Sequence, residues 1–177
     1  MEQDLTLPVG DGYVNLRVGA IIMRGESVLM VRNDLEGYYY SVGGRIQFGE
    51  SAEQAVVREA EEETGVRLEV DRLGFVEENY FYGDVPGKEG KVIYEIGFYF
   101  YMKLPPDFHP VCRSISQFGA EERLEWVPFD TDRLLYPSFF RTELRHPVPY
   151  VRHFFKDDRE ASRENGGADA PCGPQSC

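Results

Sequence analysis

Residues Gly44 to Val66 read GRIQFGESAEQAVVREAEEETGV and follow directly on Gly43. Glu50 stands just ahead of a predicted helix. Ser51 and Gln54 form a capping box that fixes the helix start near Ala52. Gly65 followed by Val66 is a Schellman-type stop. Arg58, Glu59, Glu62 and Glu63 crowd the last turns. On a helical wheel at about 100° per residue, Ala52, Ala55 and Val56 fall within roughly 60° of Glu59, and so do Glu62 and Glu63. The stripe that faces the core therefore begins apolar and ends as three carboxylates at i, i+3 and i+4.

Glutamate runs near a helix end are usually solvated, but these continue the apolar stripe instead of opposing it. Two like charges about 5 Å apart at an effective dielectric of about 20 repel by roughly 3 kcal/mol, so three pairs cost on the order of 10 kcal/mol in a half-buried site. A hard divalent cation removes that cost and takes oxygen ligands by preference. The expectation is a divalent-metal site that handles phosphates.

Charge sharpens this expectation. The 177 residues carry 31 acidic and 19 basic side chains, a net charge of −12. A field of that sign repels a nucleic-acid polymer. It also repels a small phosphorylated substrate unless metal ions invert it locally. No run approaches the length of a membrane span. The N-terminus lacks the basic and apolar regions of a secretory signal. Cys112, Cys172 and Cys177 include no CxxC pair, so neither a disulfide framework nor a zinc cluster is supported. A cytoplasmic protein with no membrane partner is expected.

Around the helix, Tyr13–Met23, Val28–Arg32 and Tyr38–Val42 read as strands, the first two forming a hairpin across Arg24–Ser27. Val66, Leu68 and Val70 alternate, as do residues near Tyr80 to Tyr82. Val92–Met102 is apolar on both faces and reads as a central strand covered on both sides. Leu124–Val127 is a short strand holding Trp126. A last helix is expected over Asp132–Leu144, interrupted by Pro137. The fold class predicted is α/β, a three-layer α/β/α sandwich with a mixed central sheet. Residues 1–155 form the domain, and 156–177 form a disordered polar tail.

The segment resembles the Nudix hydrolase signature, G-x5-E-x7-R-E-U-x-E-E-x-G-U, with U aliphatic. Gly44, Glu50, Arg58, Glu59, Glu62, Glu63 and Gly65 match every fixed position, Val66 fills the last U, and Ala60 fills the other. Val42 stands where family members often carry a proline. The resemblance implies a Nudix-type sandwich. It implies that Glu59, Glu62 and Glu63 hold Mg2+ (or Mn2+), that Glu62 and Glu63 serve catalysis, and that Arg58 pairs with Glu50 to hold the loop on the helix. Gly44 lets the loop backbone approach closely, and Gly65 ends the helix.

The general base varies in position within the family. Glu95, on the central strand with Ile93, Gly97 and Tyr99 on its face, is the leading candidate for base or fourth metal contact; an ion pair with Arg45 is the alternative. Glu121 and Glu122 are weaker candidates. Arg45 and Lys91 could meet phosphates, although a surface role is the commoner one for such side chains. Tyr39, Tyr80, Phe81, Tyr82 and Phe118 offer rings for a base, although aromatics at strand spacing are more often core. The expected activity is metal-dependent hydrolysis of a phosphoanhydride. The substrate is a small nucleotide: a nucleoside diphosphate linked to another moiety (ADP-ribose-like, nucleotide sugar, dinucleotide) or a (deoxy)nucleoside triphosphate. A catalytically inactive nucleotide-sensing or binding domain is the alternative. Homodimers are common in such enzymes, and the sequence shows no interface signature.

Overall fold

The computed structural model describes residues 3–33, 37–83, 87–111 and 122–159. In chain order the elements are β1 (Thr6–Val9), β2 (Gly12–Ile21), β3 (Met23–Arg24), β4 (Ser27–Asn33), β5 (Tyr39–Ser41), α1 (Ala52–Thr64), β6 (Glu69–Tyr82), β7 (Val92–Lys103), β8 (Glu122–Pro128), β9 (Leu135–Tyr136), α2 (Phe140–Glu143) and β10 (Arg152–Asp157). Among the described residues, no helix is long and apolar enough to cross a membrane.

Two sheets form the centre. The larger is mixed, in the order β1-β2-β7-β6-β10, with β2–β7 and β6–β10 parallel. The smaller runs β3-β4-β5-β9, with β8 pairing β4. Strand β7 is the middle strand of the larger sheet, and its two faces supply two cores. Val18 and Ala20 of β2, Leu29 and Val31 of β4, and Phe100 and Met102 of β7 pack with Ala55, Val56 and Ala60 of α1. Their alternates Ile21, Val28, Met30 and Tyr101 pack with Phe75, Leu135, Phe140 and Leu144 on the side of α2. The α/β fold with a mixed sheet is thus present, with a second sheet beside it.

Helix α1 has both caps read from the sequence. Ser51 Oγ accepts from the Gln54 amide while the Gln54 side chain accepts from the Ser51 amide. Gly65 is left-handed (φ 71°) and its N–H reaches the Glu61 carbonyl at 2.8 Å.

Four elements differ from expectation. The helix expected over Asp132–Leu144 is only Phe140–Glu143, because Leu135 and Tyr136 pair with Tyr39 and Tyr40 as β9 and Pro137 cannot sit inside a helix. Strand β6 is one long strand whose register shifts between Val70 and Arg72 and between Leu73 and Phe75; these bulges break the alternation that would have revealed it. Strand β1 was not anticipated. Strand β10 was not anticipated either. It carries Lys156 and Asp157 into the sheet, beyond the boundary expected at 155, through parallel pairing with β6. Phe118, Glu121, the three cysteines and residues 160–177 lie outside the described residues.

Candidate functional site

Residues 42–46 run beside β2 as an added, irregular strand. Ala20 N–H donates to Val42 O (2.7 Å), Val18 N–H to Gly44 O (2.9 Å), and Ile46 N–H to Leu16 O (3.0 Å). Gly43 has φ 141°, and a Cβ there would lie 2.2 Å from the Val18 carbonyl oxygen, so this position requires glycine. A Cβ on Gly44 would lie 2.5 Å from the carboxylate of Glu59. The loop backbone and that carboxylate are thus in direct apposition. The Gly43 N–H donates to Glu63 Oε2 at 3.1 Å.

Arg58 ties loop to helix. Its Nη2 and Nε donate to the two oxygens of Glu50 at 2.7 and 3.2 Å. Its Nη1 donates to Glu59 Oε1 at 2.7 Å and to Glu62 Oε2 at 3.3 Å, and its Nη2 also reaches the Arg45 carbonyl at 3.0 Å. Burial alone would raise the Glu50 carboxyl, but the Arg58 hydrogen bonds and the Gln47 amide outweigh it and hold Glu50 below the usual carboxylate range.

Glu59 and Glu63 are 7% and 5% exposed. Burial raises the carboxyl of Glu59, with Arg58 pulling against it and Glu62 adding to the rise. Burial also raises Glu63 far above the usual range; Glu59 and Glu122 push the same way, and the Gly43 amide and Arg17 oppose them. Glu122, at the start of β8, is 5% exposed and receives a hydrogen bond from the Tyr40 hydroxyl. The charge of a carboxylate from outside α1 therefore acts on Glu63.

Glu62 corrects the wheel reading. Its side chain is 58% exposed. Glu62 and Glu63 flank the Glu59 direction on opposite sides, and Glu62, on the solvent side, shares Arg58 Nη1 with Glu59. Among the described residues, no three His, Cys, Asp or Glu side chains converge closely enough to form a metal cluster by themselves.

Glu95 lies elsewhere. It shares its cross-strand row with Asn15 of β2 and Asn79 of β6, and Asn15 Nδ2 donates to its Oε2 at 3.5 Å. Glu77, one row along β6, accepts from the Tyr99 hydroxyl at 3.3 Å. Burial pushes Glu77 up to about 7; Lys156 opposes this and Glu95 adds to it. The alternative of a Glu95–Arg45 pair is not what forms, since Arg45 pairs with Asp4 at 3.5 Å. Tyr39 is buried in the core on the α2 side and its hydroxyl donates to Glu125 at 2.5 Å, so it is not brought to the glutamates. Tyr80 stacks on Tyr94 at 4.4 Å, and Lys91 is exposed.

Arg17 escaped the sequence reading. It is buried, bridges to Arg45 across the backbone, and its charge acts on Glu59, Glu63 and Tyr99. The available signal was the polar alternation Asn15-Arg17 inside an otherwise apolar strand.

Gly44→Ala tests the apposition of loop and carboxylate. The displaced group is the flexible end of Glu59, so the melting temperature should change little. Manganese affinity, measured by calorimetry, should fall about 10–100-fold, the usual loss when a ligand's support is disturbed. Unchanged affinity would mean that Glu59 is not a ligand.

A family model described as NUDIX domain matches residues 14–148. The fold is similar to that of a MutT protein from Bacillus halodurans, with TM-score 0.57 and 19% identity over 80% of this chain and 89% of that one. It is similar to a MutT NUDIX hydrolase from Burkholderia pseudomallei, with TM-score 0.54 and 22% identity over 72% and 95%. It is also similar to an ADP-ribose pyrophosphatase from Streptococcus suis, with TM-score 0.51 and 17% identity over 80% and 98%. At these identities the structural likeness is one of fold.

Proposed function

Since the chain belongs to the Nudix family, we propose that it is a pyrophosphohydrolase that cleaves a phosphoanhydride in a small nucleotide, either a nucleoside diphosphate linked to a second moiety or a nucleoside triphosphate, with magnesium or manganese. The observation that carries this reading is the buried pair Glu59 and Glu63, set against the Gly43–Gly44 backbone and held by Arg58.

The donor set fits such an ion. Burial raises both carboxylates, with Glu62 adding to the rise of Glu59 and Glu59 and Glu122 to that of Glu63, a cost that a hard cation would relieve. Magnesium typically uses one or two carboxylates, with waters and substrate phosphates completing its shell. Glu59 and Glu63 would hold it, and Glu62, exposed at the rim, can join from the solvent side. When bound, the ion would neutralise charge developing on the pyrophosphate oxygens. Arg58 and Glu50 hold the loop in place and do not touch substrate. Arg17 and Arg45 give the diphosphate a cationic wall. Glu122 orients and deprotonates the attacking water, because its charge reaches Glu63 and the Tyr40 hydroxyl holds it in place.

The test is a panel of nucleoside diphosphate derivatives and triphosphates incubated with magnesium or manganese, with products identified by mass. Metal-dependent formation of a nucleoside monophosphate, or of pyrophosphate from a triphosphate, is expected. A panel left intact with either metal would refute the proposal.

A further inference from the structure

Helix α1 covers one end of the larger sheet. There Val18, Phe100 and Met102 are buried against Ala55, Val56 and Ala60, with Leu16 and Phe98 packed at the margin. Away from the helix the same face stays apolar. Strand alternation sets Val14 of β2, Tyr94 and Ile96 of β7, and Tyr80 of β6 on it. Leu7 registers with Val14, Val14 with Tyr94, and Tyr94 with Tyr80, so one apolar row runs from β1 to β6. The next row passes from Ile96 through Glu78 to Phe155 of β10. Tyr80 stacks on Tyr94 at 4.4 Å and meets Phe155 edge-on at 6.3 Å. Val14, Tyr80, Tyr94 and Ile96 are half-buried, and among the described residues none of them belongs to either core. Leu7 and Phe155, on the two outer strands, are 47% and 63% exposed.

A sheet face that meets water ordinarily turns polar side chains outward. A contiguous apolar face rich in aromatics marks a contact surface. Charge points to the occupant. A chain of net charge −12 repels its own copy, so two copies meet most readily where charge is cancelled. Around this face it is cancelled. Glu78 is held between the Tyr94 hydroxyl and His153. Along the β10 border Lys156 pairs with Asp158 and Arg159 with Asp157. The Arg159 guanidinium also lies over the Tyr80 ring at 4.6 Å. Residues 160–177 hold no Leu, Ile, Val, Met, Phe, Tyr or Trp, and so bring no large apolar side chain to bury the face. A flat apolar sheet face is complementary to itself, and sheets pack face to face about 10 Å apart.

We propose that this face docks a second copy of the chain, sheet against sheet about a two-fold axis, with Tyr80, Tyr94 and Phe155 at the contact. Five strands span about 20 Å, and β6 runs about 20 Å from Val76 to Tyr82. With side-chain relief that is on the order of 600 Å² per copy, short of the roughly 800 Å² of a standard interface. The dimer is therefore weak and reversible.

Sedimentation velocity on the full chain over roughly 1–200 µM, a range suited to a weak interface, tests this. The 20.3 kDa species should give way to one of twice that mass as concentration rises. Added salt should tighten the dimer, because it screens the repulsion between the acidic copies. Leu7→Lys combined with Phe155→Lys should weaken association about tenfold or more. Both side chains are exposed in the single chain, so its melting temperature at low concentration should hold. Leu7→Ser with Phe155→Ser replaces the lysine pair should that pair fail to fold. Leu134→Lys, 42% exposed beside β9 of the smaller sheet, should leave association unchanged. A protein that stays monomeric across the range would overturn the proposal. So would a dimer that salt loosens, one that survives the paired substitutions, or one that Leu134→Lys disrupts.

Discussion

Glu63→Gln will lower kcat by about a thousandfold or more, the scale of losing a positioned catalytic charge, and the metal-free variant will melt at a higher temperature than the parent. The two effects share one cause. Glu63 is buried beside Glu59, with Glu122 adding to the repulsion, and its ionised form is disfavoured by all three circumstances. Glutamine keeps the shape and the capacity to accept from the Gly43 amide. It removes a charge that the metal-free fold tolerates poorly, which should stabilise by about 1–3 kcal/mol. Loss of activity with gain of stability marks a group kept for function. The check is steady-state kinetics on whichever substrate the panel identifies, with a thermal melt of the metal-free protein. A variant as active as the parent would refute the metal assignment, and a variant that is both inactive and less stable would refute the electrostatic account.

Divalent metal will stabilise the protein strongly near neutral pH and weakly at mildly acidic pH. The sign follows from Glu59 and Glu63. Both have folded pKa values raised above the ordinary 4.5. The native state therefore holds protons that the unfolded chain has released, and stability of the metal-free protein falls as pH rises above that value. Glu50 works the other way, since Arg58 and the Gln47 amide hold it low; its contribution is lost as pH falls. Metal needs the ionised carboxylates, so its binding strengthens over the same range in which the metal-free protein weakens. At a hundredfold excess over Kd the gain is about 2.7 kcal/mol. Melting curves with EDTA and with magnesium or manganese across this range should diverge as pH rises. Parallel curves would show that these carboxylates are not the ligands.

Local signals made α1 legible. Its capping box, its left-handed stop and its apolar stripe all lie within the helix and its flanks, and the structure reproduces each of them. The two-faced character of β7 was likewise written in one segment. What escaped depended on neighbours distant in sequence. The wheel put both Glu62 and Glu63 within roughly 60° of Glu59, and only the packing of the loop on one side decides which is buried. The face of Glu95 could be read from alternation, but its company of Asn15 and Asn79 comes from strands far apart in the chain. Glu122 precedes Trp126 like an ordinary loop glutamate; the Tyr40 hydroxyl and the pairing of β8 with β4 bury it. Tyr39 followed the commoner fate of strand aromatics and lies in the core.

The closing strand β10 has a consequence outside chemistry. Its pairing with β6 spans Arg152 to Asp157 and shields one flank of the longest strand among the described residues. Left bare, that flank would offer a template for another chain to add to. Since β10 is itself the end strand of the sheet, the edge left open there is 6 residues long instead of 14, a shorter template.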